Sequence, residues 1–213
     1  MDRHVPHVHT EGAALRRAVR LVALLNLGYF GVEFAVALAI GSVSLFADSI
    51  DFLEDAAVNG LILVALGWSA HRRALVGMAL AAILLAPGLA TLWTAWEKVA
   101  VPVPPAPVPL SLAGCGALVV NLCCACLLAR FRAQSGSLTR AAFLSARNDV
   151  LANIAIIAAG LVTAATVSPW SDLMVGLGIF LMNLDAAREV YTTARRERSV
   201  ASAGGRHCRS GLL

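Results

Sequence analysis

The chain has 213 residues, of which 59% are hydrophobic and 14% are charged, and its mean hydropathy is +0.76. Soluble domains carry roughly a quarter charged residues, so this composition excludes an ordinary water-soluble fold. The formal net charge is +4. Because the basic residues fall between apolar runs, they indicate membrane topology rather than a nucleic-acid-binding surface, and we expect no nucleic-acid partner.

Six apolar segments approach the length of about 20 residues that a helix needs to cross the hydrocarbon core. They are 19–40, 43–67, 75–96, 110–129, 141–162 and 170–187. The sequence therefore predicts an all-α membrane protein, a six-transmembrane-helix bundle with no folded cytoplasmic domain. We expect a cytoplasmic N-terminal tail (1–18), a transmembrane domain (19–187) and a short basic cytoplasmic tail (188–213).

The basic residues between these segments predict the orientation. Clusters of arginine precede the first segment and follow the second, fourth and sixth, whereas the opposite side carries Lys98 alone. Both termini are therefore expected in the cytoplasm, and the protein in the plasma (inner) membrane. The connector VPVPPAPVP (101–109) is typical of extended polyproline, and small residues on the third segment predict a homodimer through the helices; these are Gly77, Ala81 and Ala82.

Ionisable groups inside a membrane are costly, so each is a functional candidate. In the second segment Asp48, Asp51 and Asp55 are three and four residues apart, on one helix face, with Asn59 one turn further. In the fifth segment Ser145, Asp149 and Asn153 form a second stripe, with Asn148 beside it. Grouped carboxylates repel each other unless protons or a cation neutralise them. A divalent metal and protons would compete for the same oxygens, which favours metal-for-proton exchange.

The two motifs together resemble the cation diffusion facilitator family of six-helix metal/proton antiporters. The helix-two signature of that family is matched by SLFADSIDFLED, through Asp51 and Asp55, and its helix-five signature by RAAFLSARND, through Asp149. The resemblance runs from about residue 20 to 195. It implies that Asp51, Asp55 and Asp149 bind the transported metal, with Ser145 at a position where the family usually has His or Asp.

Other features leave the metal open. The family's usual cytoplasmic ferredoxin-like domain and histidine-rich loop are absent from the sequence. With Ser145 the ligand set is all oxygen, which favours harder ions such as Mn²⁺, while family frequency favours Zn²⁺ over Mn²⁺, Co²⁺, Cd²⁺ or Fe²⁺. The weaker ligand candidates are Asp48, Asn148, Asn153 and Asn59.

Further polar residues have a structural and a functional interpretation. Asn26 and Glu33 share one face of the first helix and are expected to hydrogen-bond towards helix two. Glu33 is also a candidate for a role in the proton path. Arg147 points away from Ser145 and is expected either to pair with Glu54 or Asp48 or to extend to the cytoplasmic surface. A histidine cluster ahead of the first helix indicates either metal capture or a disordered tail; its members are His4, His7 and His9.

Two other classes of function compete with transport. The aspartate spacing in helix two also resembles the first motif of intramembrane prenyltransferases, where Mg²⁺ holds a diphosphate, but no second such motif follows. A non-transporting membrane scaffold is the other alternative. The transporter interpretation predicts no catalytic residue and no cofactor, and its partners are divalent cations, protons and the bilayer.

Overall fold

The computed structural model describes residues 6–65, 89–129, 131 and 136–184, and within them the chain forms six helices and no strand. The helices are α1 (Pro6–Ile40), α2 (Val43–Ala65), α3 (89–100), α4 (Pro107–Ala129), α5 (Gly136–Thr166) and α6 (Trp170–Leu184). The predicted all-α membrane bundle is confirmed. The small residues Gly77, Ala81 and Ala82, on which the predicted homodimer depends, lie outside the described residues.

Three of the described helices begin earlier than the sequence predicted. α5 starts at Gly136 rather than at residue 141. α1 starts at Pro6, so most of the predicted N-terminal tail (1–18) continues the first helix and the disordered interpretation is wrong from residue 6. α4 starts at Pro107, so the connector is irregular only up to residue 106. Proline is tolerated in the first turn of a helix because the N–H groups there have no intrahelical partner.

Among the described residues, three helical stretches are long and apolar enough to cross a membrane: Gly12–Ile40, Pro107–Ala129 and Ala146–Thr166. α2 is as long as α4 but carries four carboxyl groups, and α6 is apolar but shorter. The outward faces of the helices expose large apolar side chains such as Leu24, Leu112 and Leu151. Such a surface suits contact with lipid rather than water.

The described turns and the connector meet at one end of the bundle, which we call the capped end. Gly41 adopts a left-handed backbone (φ 62°), and Ser42 N–H donates to the Ala37 carbonyl at 3.0 Å, so α1 closes in a Schellman turn. Lys98 Nζ donates to the Val103 carbonyl at 2.8 Å. An added Cβ atom at Gly41 would lie 3.9 Å from Lys98 Nζ, and Ser42 Oγ donates to Asp172 at the start of α6, so these three segments lie at one end of the described bundle.

The described residues bury three apolar clusters. A small one lies at the capped end and includes Val43, Ala95 and Leu173. Of the two larger clusters, the first, towards the capped end, includes Leu45, Ile50, Leu110 and Ile156, and the second includes Val22, Ile62 and Leu128. Between them lies a group of carboxyl and amide side chains that we call the polar layer: Asn26, Glu33, Asp48, Asp51, Asp55, Asn59, Asp149, Asn153 and Asn183. The candidate site therefore has an apolar seal on either side.

Candidate metal site

Three of the four carboxyl groups of α2, those of Asp48, Asp51 and Asp55, are spaced along one side of that helix. Asp48 is fully buried, Asp55 is 9% exposed and Asp51 is half-buried. A charged group without solvent needs hydrogen-bond donors, a counter-ion or a proton. The partners of each carboxyl group therefore indicate what it can do.

Asp51 accepts a hydrogen bond from Asn183 of α6. The Asn183 side-chain N–H group reaches the Asp51 Oδ1 atom. The sequence had not identified Asn183 as part of the site. The side-chain N–H group of Asn183 bonds Asp51 from the α6 side. The side-chain oxygen of Asn183 is uncharged and is of the type that binds metal ions with oxygen ligands.

Asp55 interacts with α1 rather than α6. Asn26 Nδ2 donates to Asp55 Oδ2 at 3.4 Å, and Cys124 Sγ of α4 donates in turn to Asn26 Oδ1 at 3.5 Å. Asn59 uses its amide to bond the Asp55 backbone carbonyl at 2.8 Å. The predicted contact from Asn26 to helix two is confirmed, and Asn59 is turned towards its own helix.

On α5, Asp149 is half-buried and near enough to Asp51 and Asp55 for their charges to interact. Asn153 is fully buried and donates to the Asp149 backbone carbonyl at 2.8 Å. Asn148 and Arg147 are exposed, so the predicted role of Asn148 as a ligand finds no support in the packing. Ser145 lies within α5, but its side chain is outside the described residues.

In this arrangement the candidate metal ligands lie near one another but do not form a complete coordination shell. Among the described residues, no three His, Cys, Asp or Glu side chains lie close enough together to hold a metal ion. Asp51 and Asp55 are instead held apart by amides from opposite sides, Asn183 and Asn26. A cation entering the polar layer would have to draw Asp51, Asp55 and Asp149 towards one point.

Glu33 of α1 and Asp48 form a second acidic pair. Both side chains are fully buried, their charges act on each other, and none of their four oxygens has a hydrogen-bond partner within the described chain. Two buried carboxylates without donors repel each other, whereas one shared proton satisfies both. This pair is therefore chemically suited to hold a proton beside the metal-ligand candidates.

A different carboxyl group, which the sequence analysis had not identified, lies at the capped end. Asp172 of α6 is fully buried and accepts four hydrogen bonds, from Ser42 Oγ (2.6 Å), Val43 N–H (2.9 Å), Ser44 N–H (3.2 Å) and Ser44 Oγ (2.6 Å). It thus caps the first turn of α2. As an ionisable residue within an apolar segment, Asp172 carried the same sequence signal as Asp149, but it lacked a neighbouring motif.

A comparison with protein families identifies the chain. Residues 19–197 match the model of the cation efflux transmembrane domain, which is most of the sequence and includes α1 from residue 19 and the other five described helices in full. No curated protein matches the chain. Members of this family carry metal cations across membranes and are transporters rather than enzymes, so the prenyltransferase interpretation is wrong. The chain therefore belongs to the cation efflux (cation diffusion facilitator) family of membrane metal transporters.

Proposed function

We propose that this transporter exports a divalent metal ion from the cytoplasm in exchange for protons. The observation that carries the proposal is the polar layer, where Asp51 and Asp55 of α2 lie near Asp149 of α5 between two apolar seals. Three mutually repelling carboxylates would bind either one dication or protons. Competition between the two is the chemical basis of exchange.

In the proposed cycle Asp51, Asp55 and Asp149 lose protons to the cytoplasm and bind the metal, with Ser145 and an amide or water completing the shell. On the opposite side, entering protons neutralise the carboxylates and release the metal. The Glu33–Asp48 pair supports this cycle because it can hold a proton one helical turn from Asp51. Both termini would face the cytoplasm of the plasma (inner) membrane.

For the metal, we propose Zn²⁺ first and Mn²⁺ second. Zinc is the commonest substrate that the family resemblance implies, while the available ligands are oxygen atoms, which suit Mn²⁺ well. Among the described residues, the thiol nearest the candidate metal site is that of Cys124. It donates a hydrogen bond to Asn26 and packs in the apolar cluster away from the capped end.

The test is flux in proteoliposomes with a zinc indicator and a pH indicator enclosed together. We expect Zn²⁺ entry to drive proton exit, and an imposed proton gradient to accelerate metal movement. Metal entry without any proton movement would contradict the exchange mechanism but not transport. Metal movement in neither direction, for Zn²⁺ and Mn²⁺ alike, would favour a non-transporting scaffold.

A further inference from the structure

Helix α6 carries none of the ligand candidates, yet it contacts the ligand-bearing helix α2 at three places. Asp172 bonds the start of α2, and Asn183 bonds Asp51. Between them, Gly176 approaches α2 so closely that an added Cβ atom would lie 2.7 Å from the Val43 backbone carbon and 2.8 Å from Ser44 N. Hydrogen bonds and direct backbone contact thus join the two helices.

The spacing of these contacts fits one helix face. Asp172 and Asn183 are eleven residues apart, which is close to three full turns at 3.6 residues per turn, so both point the same way from α6. Their partners Val43 and Asp51 follow in the same order along α2. The two helices therefore run side by side in one direction, joined near the capped end and again at the polar layer.

We propose that Asp172 and Asn183 are positioning residues that set the register and rotation of α2 and thereby aim Asp51 and Asp55 into the cation site. The inference rests on the proposed function, because it assigns α6 the role of orienting that site.

The chemistry of the two contacts differs in a way that suits this role. The Asp172 carboxylate accepts four hydrogen bonds from α2 and its N-cap Ser42, and a negative charge at a helix N-terminus is also favoured by the helix dipole. Lys98 lies near enough to interact with the Asp172 charge. Asn183, by contrast, makes one neutral contact to Asp51 Oδ1, which leaves Asp51 Oδ2 available to a metal. The first contact fixes the start of α2, and the second fixes the orientation of a candidate ligand.

The experiment measures how flux depends on metal concentration in proteoliposomes for D172A, D172N and N183A. M174A and L181A are the matched controls, since Met174 and Leu181 are exposed neighbours on the same helix. We expect the half-saturating metal concentration to rise about tenfold in N183A, as is usual when the partner of a metal ligand is lost. D172A should raise it about fivefold, because α2 loses the contact that fixes the position of Asp51 and Asp55, and D172N less, because its amide oxygen still accepts hydrogen bonds.

A purely structural role would lower the amount of folded transporter and leave the half-saturating concentration of the remaining molecules unchanged. Finding that concentration within twofold of wild type in both N183A and D172A would overturn the proposal. If the wild-type protein transports no metal, the proposed function is wrong. The role of Asp172 in positioning α2 is then tested by hydrogen exchange of the α2 backbone amides. In that case D172A must accelerate exchange at the start of α2, with D172N intermediate and M174A unchanged; equal protection in all four proteins would also overturn it.

Discussion

Asp172 at the capped end and Asp48 in the polar layer are both fully buried carboxyl groups, but their surroundings are opposite. Asp172 accepts four hydrogen bonds, whereas neither oxygen of Asp48 has a hydrogen-bond partner in the described residues. A carboxylate whose hydrogen bonds are all formed stabilises the fold and gains little by binding a proton or a cation. A buried carboxylate without hydrogen-bond donors is stabilised when it binds a proton or a cation. Asp172 therefore belongs to the contact between α6 and α2, and Asp48 to the site of exchange.

Within the polar layer the contrast continues on a smaller scale. Asp51 accepts a hydrogen bond from the Asn183 amide, and Asp55 accepts one from the Asn26 amide. An amide carries no net charge, so these two bonds orient the carboxyl groups without neutralising them.

The largest effect should follow removal of a carboxylate from the layer. D149A and D55A should each reduce metal-for-proton exchange by about 100-fold, because an unbalanced buried charge costs several kcal/mol. Initial rates in proteoliposomes at matched protein content measure this. E97Q is the control, since Glu97 is exposed near the end of α3. Wild-type rates in D149A would mean that α2 and α5 share no site.

The close contact between α6 and α2 at Gly176 can be disrupted by adding one methyl group. G176A places a carbon atom within 2.8 Å of α2 backbone atoms, which cannot move aside as a flexible side chain can. We expect a loss of about 2 kcal/mol in unfolding free energy. Denaturant titration in detergent measures it, with G178A as the matched control, because a Cβ atom there meets nothing within 4 Å. Equal stability of the two variants would show that the helices are not in close contact.

Substitution of Glu33 tests whether the Glu33–Asp48 pair takes part in proton transfer. E33Q keeps a donor that can bond Asp48 but cannot release a proton, so we expect intact folding and an exchange rate about tenfold lower, a barrier change of about 1.4 kcal/mol. Simultaneous pH and zinc recordings should show both fluxes slowed together. An E33Q protein with the wild-type exchange rate would indicate that the pair only packs α1 against α2.

The smallest effect concerns metal choice. S145H offers a nitrogen ligand at the position where the family usually has His or Asp, so we expect transport to persist while preference moves about fivefold, or about 1 kcal/mol, from Mn²⁺ towards Zn²⁺. Competition between the two ions in one flux assay measures the ratio, and S145A serves as the control for loss of the hydroxyl. An unchanged ratio would place residue 145 outside the ligand shell.

Much of this organisation could be predicted from the sequence because it depends on local pattern. Long apolar runs predicted the helices, and the spacing of Asp48, Asp51 and Asp55 placed them along one side of α2. The contact from Asn26 to helix two also followed from helical periodicity. The family assignment, which rested on the helix-two and helix-five motifs, was confirmed by the match over residues 19–197.

The missed features depend on contacts between distant residues. Asp172 lies 128 to 130 positions from the serines that it bonds, and Asn183 lies 132 positions from Asp51. No local period connects such residues, and only the packing of α6 on α2 brings them together. Asn148 shows the reverse error, since proximity in sequence to Asp149 suggested a ligand, while the helix turns it outwards.

A metal-loaded structure with anomalous scattering tests the central claim most directly. With Zn²⁺ or Mn²⁺ bound, we predict one strong peak in the polar layer, about 2.0–2.2 Å from carboxylate oxygens of Asp51, Asp55 and Asp149. Asn183 should keep its bond to Asp51, and Asp172 should keep its four bonds at the capped end. An ion bound at Asp172, or a bundle that binds none in the polar layer at saturating metal, would contradict the account.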